Sequence, residues 1–367
     1  MTEDVHPRVM LLGRTFEVRG TCTYTLELAE SLPAAGFDVW TVCPNADRLD
    51  RSLHEPLHVH VVPYLDSPVI WRVVANGLVH DFAANPPDLV HVQSHAMAHV
   101  GVYLAEHWRR PYVVTLHDAP RARERLTLHP LWGRHVIAVS DWVRQTWAGA
   151  IEPAQVPCSV IHTGVVLPEF STEGDLLDPG RRPVIGTAGA LEPQKGVAYL
   201  LQAARIVLRQ GHDVEFLIAG SGPEESSLWQ LARSLGIQEH VSFAPELYTF
   251  DVAIRAMDIF CLPALRQGLG TVMLQAMATG RPVIATDVGG VSKIVQPGRT
   301  GWLVPPGDAQ ALADAMLSLL SDPAGARSMG AAARAYVAAH FSVGEMVQRT
   351  AEVYRRVLAE SPTAVTY

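Results

Sequence analysis

Between Ile259 and Gly290 the sequence runs IFCLPALRQGLGTVMLQAMATGRPVIATDVGG. A short apolar strand breaks at Pro263, the loop Arg266-Gln267-Gly268-Leu269-Gly270 follows, and a helical pattern starts at Thr271 and stops at Gly280. A glycine turn that opens a helix after a strand offers unpaired amides and the positive dipole end to an anion. The stretch therefore suits phosphate binding, and an ordinary strand–helix connection with glycines for tight turns fits it equally. A second set of reactive types is His95 and the pair His117-Asp118. Each follows an apolar strand pattern, Asp88–Val92 and Tyr112–Leu116, and ligands of open α/β sheets bind beyond the carboxyl ends of strands. An imidazole there can exchange protons near neutral pH, although among 16 histidines a structural role is the commoner fate. Asp118 can orient the His117 ring or cap the loop that follows.

Several chemistries find no support. The chain has no D-x-D motif and no His, Cys or Asp cluster at ligand spacing, so no metal is expected. No G-x-G-x-x-G is present, which argues against a dinucleotide site. Cys22, Cys43, Cys158 and Cys261 form no C-x-x-C pair and read as buried free thiols.

The elements around these residues alternate. Val9–Leu12, Phe37–Val42, Val59–Val62, Val136–Ser140 and Val160–Val165 complete one series of strands, with a helix expected over Thr21–Leu32 and another capped by Ser140. Leu167–Pro183 is rich in Pro, Gly and acids and reads as a linker. Strands resume at Val184–Thr187, Glu215–Ala219, Val241–Phe243, Ile259–Leu262 and Val283–Ala285. Helices are expected over Val197–Leu208, from Pro223 at its first position to Gly236, from the cap Asp308 to Leu320, and from Gly344 to Leu358. Strand, glycine loop, helix, strand is the opening of a Rossmann-like unit, and here it occurs twice.

The 367 residues suit two domains, and 48% hydrophobic residues can fill two cores. A net charge of −8 argues against nucleic-acid binding, because no excess of Lys and Arg exists to neutralise phosphates. The acidic start, Met1-Thr2-Glu3-Asp4, lacks the basic region of a secretory signal, and no apolar run approaches the ~18 residues of a membrane helix, so a cytoplasmic protein is expected. Arg121, Arg123, Arg125 and Arg134 make a local basic stretch around Trp132, either a solvated face or a weak peripheral membrane contact.

Across nearly its whole length the chain resembles the family 4 retaining glycosyltransferases of the GT-B fold. The resemblance rests on Gly268, Gly270, Leu274, Ala276, Met277, Ala278, Gly280 and Pro282, on the proline-x-lysine-glycine at Lys195, on D-x-V-H followed by His95, and on threonine-x-histidine at His117. It implies two Rossmann-like domains facing each other across a cleft: 1–166 for the acceptor, a linker 167–183, 184–343 for the donor, and a helix 344–367 crossing back to the first. By resemblance, Gly20 and Thr21 touch donor phosphate or acceptor, Lys195 and the amides of Gly268, Leu269, Gly270 and Thr271 hold the diphosphate, and His117 sits beside donor sugar and acceptor. His95 and Asp118 then line the acceptor cleft.

The family's two glutamates, one at the sugar and one at the ribose, are replaced by Gln267 and Gln275, and its loop arginine by Ala190. Gln267 keeps the shape beside the reacting carbon without the charge. The implied activity is transfer of a sugar, with retention, from a nucleoside-diphosphate sugar to a glycan, lipid or small-molecule acceptor, without a cofactor. A catalytically degenerate nucleotide-binding or scaffold protein is the alternative, and a nucleotide-sugar epimerase on the same fold a third.

Overall fold

The computed structural model describes residues 6–16, 22–47, 49–120, 124–168, 176–244 and 250–360. The chain divides into two compact units, 1–164 with 343–367, and 165–342. The first contains β1 (Arg8–Leu12), α1 (Cys22–Ser31), β2 (Asp38–Cys43), β3 (Val59–Val61), α2 (Trp71–Asp81), β4 (Leu89–Val92), α3 (Ala98–Trp108), β5 (Tyr112–Leu116), β6 (Gly133–Ala138), α4 (Asp141–Thr146), α5 (Ala148–Ala154) and β7 (Cys158–Val160). The second holds β8 (Val184–Ala188), α6 (Val197–Arg209), β9 (Glu215–Ala219), α7 (Glu225–Ser234), β10 (Val241–Ala244), α8 (Asp251–Ala256), β11 (Ile259–Leu262), α9 (Thr271–Ala278), β12 (Val283–Thr286), β13 (Gly301–Val304), α10 (Ala309–Ser321) and α11 (Pro323–His340). The last helix, α12 (Val343–Glu360), belongs to the first unit.

Both sheets are parallel and doubly wound, in the order β3-β2-β1-β4-β5-β6-β7 and β10-β9-β8-β11-β12-β13. Their strands read as continuous apolar runs because helices cover both faces: β4, β5, β11 and β12 are buried at every residue. The order reverses at β1/β4 in one sheet and at β8/β11 in the other. Loops on either side of such a point diverge and leave a crevice beyond the carboxyl ends. The residues after β4, β8 and β11 are those singled out for chemistry in the sequence.

Helix α12 buries Met346, Val347, Thr350, Ala351, Val353, Tyr354 and Val357, a spacing of three and four that gives one face to the first sheet. Arg349 donates to the Val160 carbonyl at 2.8 Å and Arg355 to that of Ala35 at 2.9 Å.

Three local expectations need correction. The strand expected over Val160–Val165 is β7, which ends at Val160, because its partner β6 ends opposite it at Ala138 and no ladder remains beyond. Pro223 precedes α7, whose first residue is Glu225. The 18-residue helix α11 has no counterpart in the sequence reading. Its buried face is Ala326, Met329, Gly330, Ala333 and Val337, too small in side chain to stand out as a periodic apolar pattern. Gly330 is what lets α11 lie against the end of α9, since a Cβ there would strike the Gly280 carbonyl.

The linker stretch is anchored at its carboxyl end. Leu177 is buried in the core of the second unit, and its amide donates to Asp258 Oδ1 at 2.8 Å. Asp258, itself wholly buried, also accepts the Val184 amide at 2.8 Å and Arg181 Nη1 at 2.7 Å. Removing the carboxylate leaves two amides and a guanidinium without their acceptor. Asp258→Ala should therefore cost about 3 kcal/mol, seen as a lower denaturant midpoint. An unchanged midpoint would show that the anchor carries no stability.

Candidate active site

In the second unit two loops meet beyond β8 and β11. The loop after β8 turns at Gly196, whose φ of +65° begins α6, and a Cβ there would run into the Pro263 carbonyl. That close approach zips the loops together, with the Leu265 and Arg266 amides both donating to the Gln194 carbonyl, at 2.8 and 3.3 Å. Thr286 Oγ1 donates to the Ala264 carbonyl and holds the second loop from below.

On this frame Lys195 Nζ donates to Gln267 Oε1 at 2.8 Å. Lysine has no acceptor, so the contacting atom of Gln267 must be its oxygen, and the amide nitrogen with its two N–H groups faces elsewhere. Gly268, Leu269 and Gly270 are buried, the Gly268 carbonyl accepts the Gly290 amide at 3.0 Å, and Thr271 starts α9 half-buried. Gln275 lies half-buried one turn further along α9, where its side chain shares the side of Thr271. Ala190 is exposed in the loop after β8. The assembled groups are an ammonium held by a side-chain oxygen and the amino end of a helix. This is a donor set for an anion.

In the first unit the carboxyl ends of β4 and β5 gather the histidines. His91, inside β4, bonds through Nδ1 to the Tyr354 hydroxyl of α12 and through Nε2 to Thr115 Oγ1 at 2.7 Å. Burial, with lesser contributions from His117 and His135, drives its pKa down to about 3, so it stays neutral and structural. His117 packs edge-on to Tyr24, ring centres 5.2 Å apart. Its pKa falls to about 4 through burial, against a hydrogen bond to the Gln93 backbone, with a smaller lowering by His95. Nε2 of His117 is shut from solvent and meets no partner among the described residues. The backbone carbonyl of Asp118 accepts Trp147 Nε1 at 2.7 Å.

His95 opens a short turn behind the cap Ser94 and is paired with a residue the sequence reading passed over: His95 Nε2 lies 3.2 Å from Glu124 Oε2, and the Trp147 ring lies 5.2 Å from the His95 ring. Glu124 sits among Arg121, Arg123 and Arg125, and that run of charge concealed the acid. Gly20 and Thr21 lie outside the described residues, as do Arg121 and Arg123. Arg125 is exposed, while Arg134 is half-buried within β6. Among the described residues, no helix is long and apolar enough to cross a membrane.

The two doubly wound parallel sheets, each with a crevice at its reversal point, define a class of two-unit Rossmann-like α/β proteins. Residues 172–336 match the family of glycosyl transferases group 1, and residues 18–168 match glycosyltransferase family 4. The chain is 31% identical over 312 residues to D-inositol 3-phosphate glycosyltransferase of Nocardia farcinica, which covers 74% of this chain and 67% of that protein. It is 33% identical over 184 residues to alpha-D-kanosaminyltransferase of Streptomyces kanamyceticus, covering 48% of this chain and 46% of that one. Among solved structures, Anabaena Alr3699/HepE in complex with UDP-glucose superposes with a TM-score of 0.83 at 22% identity, covering 96% of this chain and all of that one, a likeness of fold. The chain belongs to the family 4-type glycosyltransferases of the GT-B fold.

The buried histidines give a test of this half of the site. His135, bonded to Ser159 at 2.9 Å, is pushed down to about 4 by burial and by Arg356. For His91, His117 and His135 the folded pKa lies below the unfolded value of about 6.5, so the fold holds them neutral and unfolding takes up protons between about pH 6.5 and 4. Their contribution to stability is complete above about pH 6.5 and is lost as the pH falls. His135→Gln should remove about one proton from the uptake on unfolding near pH 5, measured from the slope of denaturant midpoint against pH. An identical slope in the variant would contradict the burial.

Proposed function

We propose that this protein transfers a sugar, with retention, from a nucleoside-diphosphate sugar to a hydroxyl of a glycan, lipid or small-molecule acceptor. The observation that carries the reading is the Lys195–Gln267 hydrogen bond at the mouth of the glycine loop. It holds an ammonium beside the amino end of α9, where the diphosphate of the donor would sit against the amides of Gly268 to Thr271. As the sugar–phosphate bond breaks, charge builds on the departing phosphate, and a fixed cation with oriented amides stabilises it. Gln275 would accept a ribose hydroxyl through its carbonyl, and Gln267 would meet the sugar. His117, His95 and Asp118 would serve sugar and acceptor. The UDP-glucose bound to Alr3699/HepE is in keeping with a donor of this kind.

Lys195→Ala should weaken nucleoside-diphosphate binding at least tenfold by calorimetry while the fold persists, after a thermal-shift panel of nucleoside diphosphates and nucleotide sugars has identified the base. Unchanged affinity would place the phosphates elsewhere. Gln267→Glu should also weaken it, because a carboxylate 2.8 Å from Nζ would neutralise the ammonium that the diphosphate needs.

Charge neutralisation by Lys195 and amides requires no metal, so activity should survive EDTA. Loss on chelation with recovery on added magnesium or manganese would refute that part. The replacement of both family glutamates and of the loop arginine favours a second reading, a nucleotide-binding protein without turnover. Binding with no release of nucleoside diphosphate, with or without acceptor, would decide for it.

A further inference from the structure

Helices α2 and α3 pack side by side in the first unit, and a cleft of about 570 Å³ lies along them. That volume is within the usual range of a small-molecule site, about 300–1,000 Å³. Its walls are aromatic. The Trp71 ring stands nearly perpendicular to those of His99 and Tyr103, at 86° and 83°, with centres 4.6 and 5.7 Å away. Tyr103 lies in turn 4.0 Å from His107, whose Nδ1 donates to the Tyr103 carbonyl at 2.7 Å. Trp71 and Tyr103 are half-buried and both line the cleft, so they offer it apolar surface at a fixed angle.

The polar groups decide what such walls can hold. Arg72 Cζ lies 5.3 Å from the centre of the Trp71 ring, the place that a cationic ligand would take. Glu106 is exposed on the same cleft, so an anionic ligand would meet a carboxylate. Partial burial also lowers the pKa of His99, against a hydrogen bond to the Ala96 backbone, and favours its neutral ring. Charge of either sign is therefore disfavoured in a ligand. Hydroxyls are well served instead. A carbonyl only accepts, so His107 Nδ1 carries a proton and Nε2 accepts in the neutral ring. Glu106 accepts as well, and the Thr127 hydroxyl both donates and accepts. A sugar ring meets both demands, with a C–H face for the aromatic walls and hydroxyls around its rim.

We propose that the α2–α3 cleft binds a neutral saccharide, its ring against Trp71 and Tyr103 and its hydroxyls on Glu106, His107 and Thr127. The site lies within the first unit and needs neither donor nor turnover, so it is independent of the transferase reading above.

The test titrates the full chain with maltose, cellobiose, lactose and trehalose, and reads saturation transfer from protein to sugar by NMR. At least one of them should bind, and sorbitol, which has hydroxyls but no ring face, should not. Trp71→Ala should weaken binding about tenfold. Glu106→Ala, at an exposed position, should weaken it about threefold. Both variants should keep the wild-type melting transition, and if Trp71→Ala loses it, Glu106→Ala alone decides. The proposal falls if none of the four sugars shows transfer. It falls equally if binding persists at wild-type strength in both variants, because the sugar then sits elsewhere on the chain. Sorbitol binding as strongly as the disaccharides would overturn the role of the rings. Failure to bind any nucleotide is a separate result, which refutes the donor reading and leaves the saccharide site standing.

Discussion

The second unit's site depends on how closely two loops can approach. Gly196 has no side chain, so the turn that starts α6 can rest on the Pro263 carbonyl, and two amides of the second loop then reach Gln194. Only with that spacing do Lys195 and Gln267, 72 positions apart, come within 2.8 Å. Any other residue at 196 would have to move backbone, because the obstacle is a carbonyl and not a flexible side chain. The sheet reversal at β8/β11 supplies the crevice and the helix α9 supplies its field, but the contact of the loops decides where the cation points.

The first unit is organised around a buried polar chain. His91 is fixed from both sides, by Thr115 on the neighbouring strand and by Tyr354 on α12, and Tyr354 packs in turn edge-on to Phe37 at 5.4 Å. A buried imidazole without partners would be costly, so these bonds select one seating for α12 against the sheet. The residues beyond β4 inherit that rigidity, and His95 and His117 are presented from strand ends that cannot shift independently. Both ring nitrogens of His91 are held, by Tyr354 and by Thr115, while the bond of His95 is made to Glu124.

Much of this was legible in the sequence. Fully covered parallel strands must be continuous apolar runs, so β1, β4, β5, β8, β9, β11 and β12 could be read directly, and glycines marked the loops that approach a ligand or one another. Ser140 and Asp308 capped helices as their types require, each accepting an amide three residues on. Helices α2, α3 and α8 went unread, and two further kinds of feature stayed hidden. The face of α11 is built from Ala and Gly, where the periodic signal is weakest. The pairs Glu124–His95 and Tyr354–His91 join positions 29 and 263 residues apart, and no local spacing encodes such a contact. Chemistry that lives in a single loop is readable, and chemistry shared between distant loops is not.

On the proposed reading of a bound diphosphate, charge links the departures from the family at 190 and 267. In the arrangement that the resemblance implies, an arginine and a lysine face a diphosphate with a glutamate nearby, so one of the two cations is already opposed. Ala190 removes a cation from the loop after β8. Had an acid remained at 267, it would have stood against Lys195 at hydrogen-bond distance, and the loop pair would have offered a phosphate no net positive charge. With an amide there, Lys195 keeps its full charge while Gln267 still orients it through its oxygen. One loss offsets the other. The glycines that set the loop spacing and the lysine that they position are retained, and these are the parts of the site on which an anion would depend.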